Sequence, residues 1–151
     1  MQGFDNAPFA PGYVSVPAKA SSTPVMFLVD TGNSKTAISE SDATKLGFEP
    51  RRLPTLSTGT LGVGGRGNVR VLPGPVLACL IDADNHFHEV EFDELPVLLA
   101  FHETERSSGR TRKSNYPYPA LLGRDFSPDW IVCCILISRN GICALSFDSS
   151  A

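Results

Sequence analysis

One stretch of the chain carries a reactive group to the tip of an apolar support. Val25-Met26-Phe27-Leu28-Val29 runs into Asp30, and Thr31-Gly32 then turns the chain away. Aspartate is depleted from strands and is costly to bury unless hydrogen bonds hold it. An apolar strand ending in a single carboxylate therefore offers either a turn cap or a base on a fixed mount. The turn has a sufficient explanation without chemistry, since Asp bonds its own backbone and Gly supplies positive φ. The chemistry open to such a carboxylate is activation of water, with a second carboxylate beside it acting as the acid. His86 and His88 are a second candidate, because i,i+2 spacing puts both on one strand face, as a metal site would need. Spacing places no third ligand, so the expectation is two solvated histidines and no metal. Cys79, Cys133, Cys134 and Cys143 show no CxxC spacing and read as free thiols rather than a metal knuckle or a disulfide framework. No cofactor is expected.

Around these residues the chain reads as short extended pieces. Residues 13–16 alternate and form a strand, residues 24–30 form the strand that ends in Asp30, and 36–38 are extended. Ser39 caps a short helix over 40–46, with Asp42 in its first turn and Gly47 as its stop. Residues 60–67 are glycine-dense and run into the alternating 68–72, which predicts a hairpin tip. Residues 75–82, 87–92 and 95–101 give three further strands. Residues 102–119 are Ser/Arg-rich and punctuated by proline, so a long mobile loop is expected there. Its Arg106, Arg110, Arg112 and Lys113 read as solvated charge, with a docking or self-cleavage segment as the sharper alternative. The apolar 120–123 stops at a glycine, 124–129 form one helical turn, and 130–138 and 142–147 close as a hairpin across Asn140-Gly141. Many short strands with turn signals predict an all-β, barrel-like domain over 13–151, preceded by a loose arm over 1–12.

Three features in this order resemble the retropepsin-type aspartic proteases. Asp30-Thr31-Gly32 matches their active-site motif, Gly62-Val63-Gly64-Gly65 their flap, and Leu121-Leu122-Gly123-Arg124-Asp125 their late hydrophobic-Gly-Arg motif. The resemblance runs from about residue 13 to residue 147. It implies a closed, barrel-like acid-protease fold with a flap hairpin and one or two short helices. It also implies an aspartic endopeptidase working on peptide or protein substrates. The chain holds one Asp-Thr-Gly, so the two-carboxylate chemistry requires a homodimer in which Asp30 of each copy meets on a two-fold axis. In this likeness Thr31 ties the two active-site loops together and Gly32 admits the substrate backbone. The flap glycines let a hairpin fold over the substrate, and Leu121-Leu122-Gly123 pack behind the Asp30 loop.

The chain departs from the family pattern in places. Asn33 stands where the family has Ala or Ser, and its amide is expected to reach the Asp30 carboxylate and touch substrate. Arg124 lacks the acidic partner the family places soon after Asp-Thr-Gly, where this chain has Ser34 and Lys35. Its expected partners are Asp42, Asp125 or a residue across the dimer. Val63 and Leu122 are expected to wall hydrophobic subsites, and residues 142–147 to supply a terminal strand to the dimer.

Composition narrows the alternatives. With 151 residues, 42% hydrophobic and 19% charged, the chain is long enough for a sizeable core. A net charge of −3 leaves no basic footprint for nucleic acid. No apolar run is long enough to span a membrane, and the first residues lack the pattern of a signal peptide. A cytoplasmic protein without membrane contact is expected, or else a domain of a larger or membrane-attached protein. The competing functional class is a catalytically silent module that uses the fold for dimerisation or peptide binding.

Overall fold

The computed structural model describes residues 8–30, 32–56, 69–82, 85–107, 110–126, 133–137 and 143–147. Side chains alternate inward and outward along β1 (Phe9–Val16) and most of β2 (Ser21–Val29), as a sheet with one buried face requires. The two strands pair antiparallel from Phe9↔Leu28 to Val16↔Ser21 across a 3-10 turn at Pro17–Lys19. β1 thus begins four residues before the predicted strand, and residues 9–12, expected in the loose arm, belong to the ladder. Pro11 and Gly12 disguised this. β4 (Val69–Ile81) joins β1 from Gly12 onward, so Pro11 lies beyond the β1–β4 ladder and its missing N–H breaks no bond to β4.

β4 pairs antiparallel with β5 (Phe87–Leu98) over most of their lengths. The sequence reading divides each in two, β4 at Pro73-Gly74 and β5 at Asp93-Glu94. The structure absorbs the first interruption as a shift of register between Pro73 and Val76. The six-stranded sheet has the order β3-β5-β4-β1-β2-β8, with β3 at Ile38–Ser39 and β8 at Ala120–Leu122. A bridge between Ala37 and Leu121 links the two ends of that order through hydrogen bonds of 2.9 and 2.8 Å. The sheet is thereby nearly closed into a barrel, and the all-β expectation holds.

The barrel interior is filled by Val14, Phe27, Ile38, Leu46, Leu72, Val76, Leu80, Leu95 and Val97, all fully buried. Each such side chain contributes about 1.5–3 kcal/mol through its burial. α1 (Glu40–Lys45) closes part of the barrel and starts from a capping box. Ser39 Oγ accepts from the Asp42 N–H, and the Asp42 carboxylate accepts from the Ser39 N–H. Gly47, at φ +81°, ends the helix in a conformation that side chains strain to adopt. Among the described residues no helix is long and apolar enough to cross a membrane.

The expected loop over 102–119 is instead largely a hairpin. β6 (Phe101–Ser107) pairs antiparallel with β7 (Arg110–Tyr116) in a two-stranded sheet of its own. Charge along both strands hid them from a reading based on apolar alternation. The overlooked signal was Ser108-Gly109, a turn dipeptide between two alternating runs. β9 (Cys133–Ile137) and β10 (Cys143–Phe147) form the closing antiparallel pair, as expected.

Candidate active site

Asp30 follows the last residue of β2, and the strand beside it fixes its position. β8 runs parallel to β2 with Leu28 opposite Leu121 and Val29 opposite Leu122. The Asp30 N–H donates to the Leu122 carbonyl at 3.1 Å, so the tip of β2 is pinned as well as its body. Beyond the tip the chain turns back, and the Asn33 N–H donates to the Asp30 carbonyl at 3.0 Å. The half-buried carboxylate receives a 3.0 Å hydrogen bond on Oδ1 from the Gly32 N–H. Thr31 lies outside the described residues.

Asn33 is buried, and its side chain does not extend the site as expected. Its side-chain oxygen accepts a long 3.5 Å bond from the Lys35 N–H, and its carbonyl accepts from the Arg124 N–H at 3.0 Å. The contact expected from its amide to the carboxylate is made by Gly32, because Asn33 is turned into the loop.

The late motif crosses directly behind this loop. Thr36 is fully buried, and its hydroxyl accepts from the Gly123 N–H at 3.1 Å. Its own N–H donates to Asp125 Oδ1 at 2.6 Å. A Cβ on Gly123 would stand 2.2 Å from the Lys35 carbonyl carbon and 2.4 Å from its oxygen, so only glycine permits the crossing. Leu121 is half-buried in a small cluster with Ala37, Val69, Leu98, Leu56 and Tyr118. Leu122 packs into the main core, which corrects the expectation of a subsite wall: parallel pairing turns it inward beside Val29.

Arg124 does not make the expected ion pair among the described residues; it is exposed and serves the loop through its backbone. Asp42 is engaged by Ser39 and by Lys45 at 3.2 Å, while Asp125 faces Lys35 at 3.9 Å. The early loop thus supplies the cation and the late motif the anion, the reverse of the pairing implied by the family pattern. Thr36 and this reversed pair were missed by sequence reasoning. Their signals were a hydroxyl at the mouth of an apolar run and an acid directly after Gly-Arg.

Gly62, Val63, Gly64 and Gly65 lie outside the described residues. On either side of that segment the chain is paired, with a bridge between Thr55 and Arg70. Bonds of 3.3 Å from Leu56 N–H to Val69 O and 2.9 Å from Val71 N–H to Pro54 O continue it.

Other reactive groups are accounted for elsewhere. His86 and His88 are not simply solvated: Asp82, itself buried, holds Oδ2 2.8 Å from His88 Nε2 and 3.3 Å from His86 Nδ1. The tight β4–β5 turn brings the three together, a proximity that spacing of the histidines alone did not reveal. Among the described residues no three His, Cys, Asp or Glu side chains are arranged to hold a metal ion. Burial pushes the Cys79 thiol up, the Glu89 charge adds to this, and a backbone hydrogen bond at His88 opposes it. Cys79 is therefore no activated nucleophile. A groove of about 740 Å³ lies on the outer side of β1 and β2, lined by residues including Pro11, Tyr13, Met26 and Tyr118. Asp30 is not among its walls, so it is separate from the carboxylate site.

The arrangement mounts one water-accessible carboxylate on a parallel strand pair and braces its loop from behind. Comparison with known proteins supplies the family. A family model described as aspartyl protease matches residues 16–126, which takes in β2, Asp30 and the late motif. A comparison with curated proteins finds no significant match. The match spans well over half of the chain, and the barrel, the Asp-Thr-Gly tip and the crossing at Gly123 agree with it: the chain belongs to the aspartyl protease family, of the retropepsin-like type.

Proposed function

We propose that the protein is an aspartic endopeptidase whose catalytic dyad is formed by Asp30 from each of two copies. The observation that carries this reading is the mounting of Asp30. Its backbone is bonded to β8, its carboxylate to the Gly32 N–H, and its loop to Thr36, Gly123 and Asp125. A mere turn cap would need no such bracing from a segment that lies 87 residues away in sequence. The sequence contains one Asp-Thr-Gly, so the second carboxylate comes from a second copy. Two carboxylates in contact share one proton, because both cannot ionise together.

Water between them is then activated as follows. The ionised carboxylate takes a proton from water as the water oxygen bonds to the scissile carbonyl carbon. The protonated partner donates its hydrogen bond to the carbonyl oxygen. Collapse of the tetrahedral species breaks the C–N bond, and a proton passes to the leaving nitrogen. In this reading Thr31 and Gly32 set the dyad and Gly62, Val63, Gly64 and Gly65 form the flap. Asn33 shapes the site through its loop, and an extended peptide lies between flap and dyad as an added strand. Leu121, Leu122, Gly123, Arg124 and Asp125 support it from behind. The partners are a second copy and a polypeptide substrate, with no nucleic acid and no membrane contact.

The test is cleavage of a diverse peptide library by wild type and Asp30→Asn between about pH 4 and 7, where a shared-proton dyad works, with the oligomeric state measured in parallel. Cleavage by wild type that vanishes in Asp30→Asn is expected. A dimeric wild type that cleaves nothing would refute the reading and favour a silent peptide-binding module.

A further inference from the structure

We infer that the β6–β7 hairpin is a docking arm that takes acidic stretches of a polypeptide substrate, an inference that rests on the protease reading above. Charge is the first observation. The whole chain carries −3, whereas the hairpin's four cations (Arg106, Arg110, Arg112, Lys113) and two anions (Glu103, Glu105) give it +2, leaving −5 for the rest. Such local reversal on an acidic body concentrates attraction for anionic partners at one place.

Placement is the second observation. The hairpin leaves β5 just after Leu98 and returns into β8, the strand whose Leu122 carbonyl accepts from the Asp30 N–H. At one foot the Ala100 N–H donates to the Glu40 carboxylate at 2.9 Å, at the start of α1. At the other, Tyr118 packs with Ala37 and Leu121, and with Leu56 and Val69 at the base of the segment over 57–68. The arm is thus rooted at the start of α1 on one side and, on the other, beside the Ala37–Leu121 bridge that adjoins the strand pair mounting Asp30. Strands of seven residues span about 23 Å, a length that reaches well past one substrate residue.

The third observation is pairing. β6 and β7 bond to one another and to no other described strand, so among the described residues each presents one ladder edge without a partner. A two-stranded ribbon alone is marginally stable and gains from an added strand. An extended peptide fits such an edge because its backbone N–H and C=O groups can continue the ladder, which a nucleic-acid backbone cannot do.

Two measurements test this separately from catalysis. In the first, anisotropy follows a fluorescein-labelled twelve-residue peptide with four glutamates, and its glutamine counterpart, binding to Asp30→Asn protein at low and high salt. Preference for the glutamate peptide is expected, reduced about tenfold by salt or by the combined Arg110→Gln/Arg112→Gln/Lys113→Gln variant. In the second, a cleavable core is flanked by glutamates or by glutamines, and the ratio of kcat/KM for the two is compared between the wild-type background and the triple variant. That ratio is expected to collapse toward one. Equal binding of both peptides by the Asp30→Asn protein, or a preference that survives the triple variant with its thermal midpoint unchanged, would overturn the inference. A triple variant that changes only sedimentation would overturn it too, assigning the hairpin to contact between copies. Failure of cleavage alone strikes the protease reading and leaves the binding measurement to decide this one.

Discussion

Gly123→Ala should damage the carboxylate site without touching any reacting group. The added Cβ would sit 2.2 Å from Lys35 C, 2.4 Å from its O and 2.6 Å from Thr36 N, all backbone atoms that cannot rotate away. Restoring an ordinary contact of about 3.4 Å requires β8 and the Asp30 loop to part by roughly 1 Å. The 3.1 Å bond from Gly123 N–H to the Thr36 hydroxyl and the 2.6 Å bond from Thr36 N–H to Asp125 would then stretch past useful length. Each loss costs about 1 kcal/mol, more where the group stays buried, and residual crowding adds about 1–3 kcal/mol. Reduced freedom of the unfolded chain returns only about 0.4–1 kcal/mol. The net is a destabilisation of about 3–4 kcal/mol, which for a chain of this length lowers the thermal midpoint by about 6–16 °C. Calorimetry together with peptide cleavage checks this, and activity should fall along with stability. A midpoint within about 2 °C of wild type would refute the reasoning, because the crossing would then be free to relax.

Further expectations follow from the same contacts. Thr36→Val leaves the buried Gly123 N–H without its acceptor and should cost about 1–3 kcal/mol in denaturant unfolding, while Thr36→Ser should recover most of it. Ser39→Ala removes the capping box of α1 and should cost about 1 kcal/mol, with β-sheet circular dichroism unchanged. Cys79 should alkylate slowly at neutral pH, at a rate still climbing as pH rises past the ordinary thiol range. Glu89→Gln should speed the reaction by lowering the thiol's pKa, as peptide-level mass spectrometry would show.

The sequence made legible those elements whose signals are local. The strand ending in Asp30, the Ser39/Asp42 cap, the Gly47 stop and the apolar 120–123 segment each announce themselves within a few residues. What escaped depended on partners far along the chain. β1 was shortened because Pro11 and Gly12 read as breakers, although β4 joins only from Gly12 onward. β4 was divided at Pro73-Gly74 and β5 at Asp93-Glu94, which face one another at a register shift that only the paired strands reveal. The hairpin over 101–116 alternates charge rather than apolarity, so a search for buried faces passed over it. At the site itself, Asp30 was plain, yet the brace formed by Thr36, Lys35 and Asp125 was not, since nothing near Thr36 hints at a partner 89 residues away.

That separation carries a consequence for synthesis of the protein. The contacts that fix the Asp30 loop, from Asn33 to Arg124 and from Thr36 to Gly123 and Asp125, close one of the longest loops in the chain. Ordering them late is entropically expensive, and they can form only after residue 125 has left the ribosome. A nascent chain therefore carries its Asp-Thr-Gly on an unbraced loop until residue 125 emerges, with the β1–β2 ladder already available to fold. Ribosome-bound chains ending before Ala120 should accordingly show exchange-protected β1–β2 amides and unprotected amides at 36–37, with protection at 36–37 gained once Asp125 is exposed. The domain delays bracing of its Asp30 loop until the late motif around Asp125 has emerged.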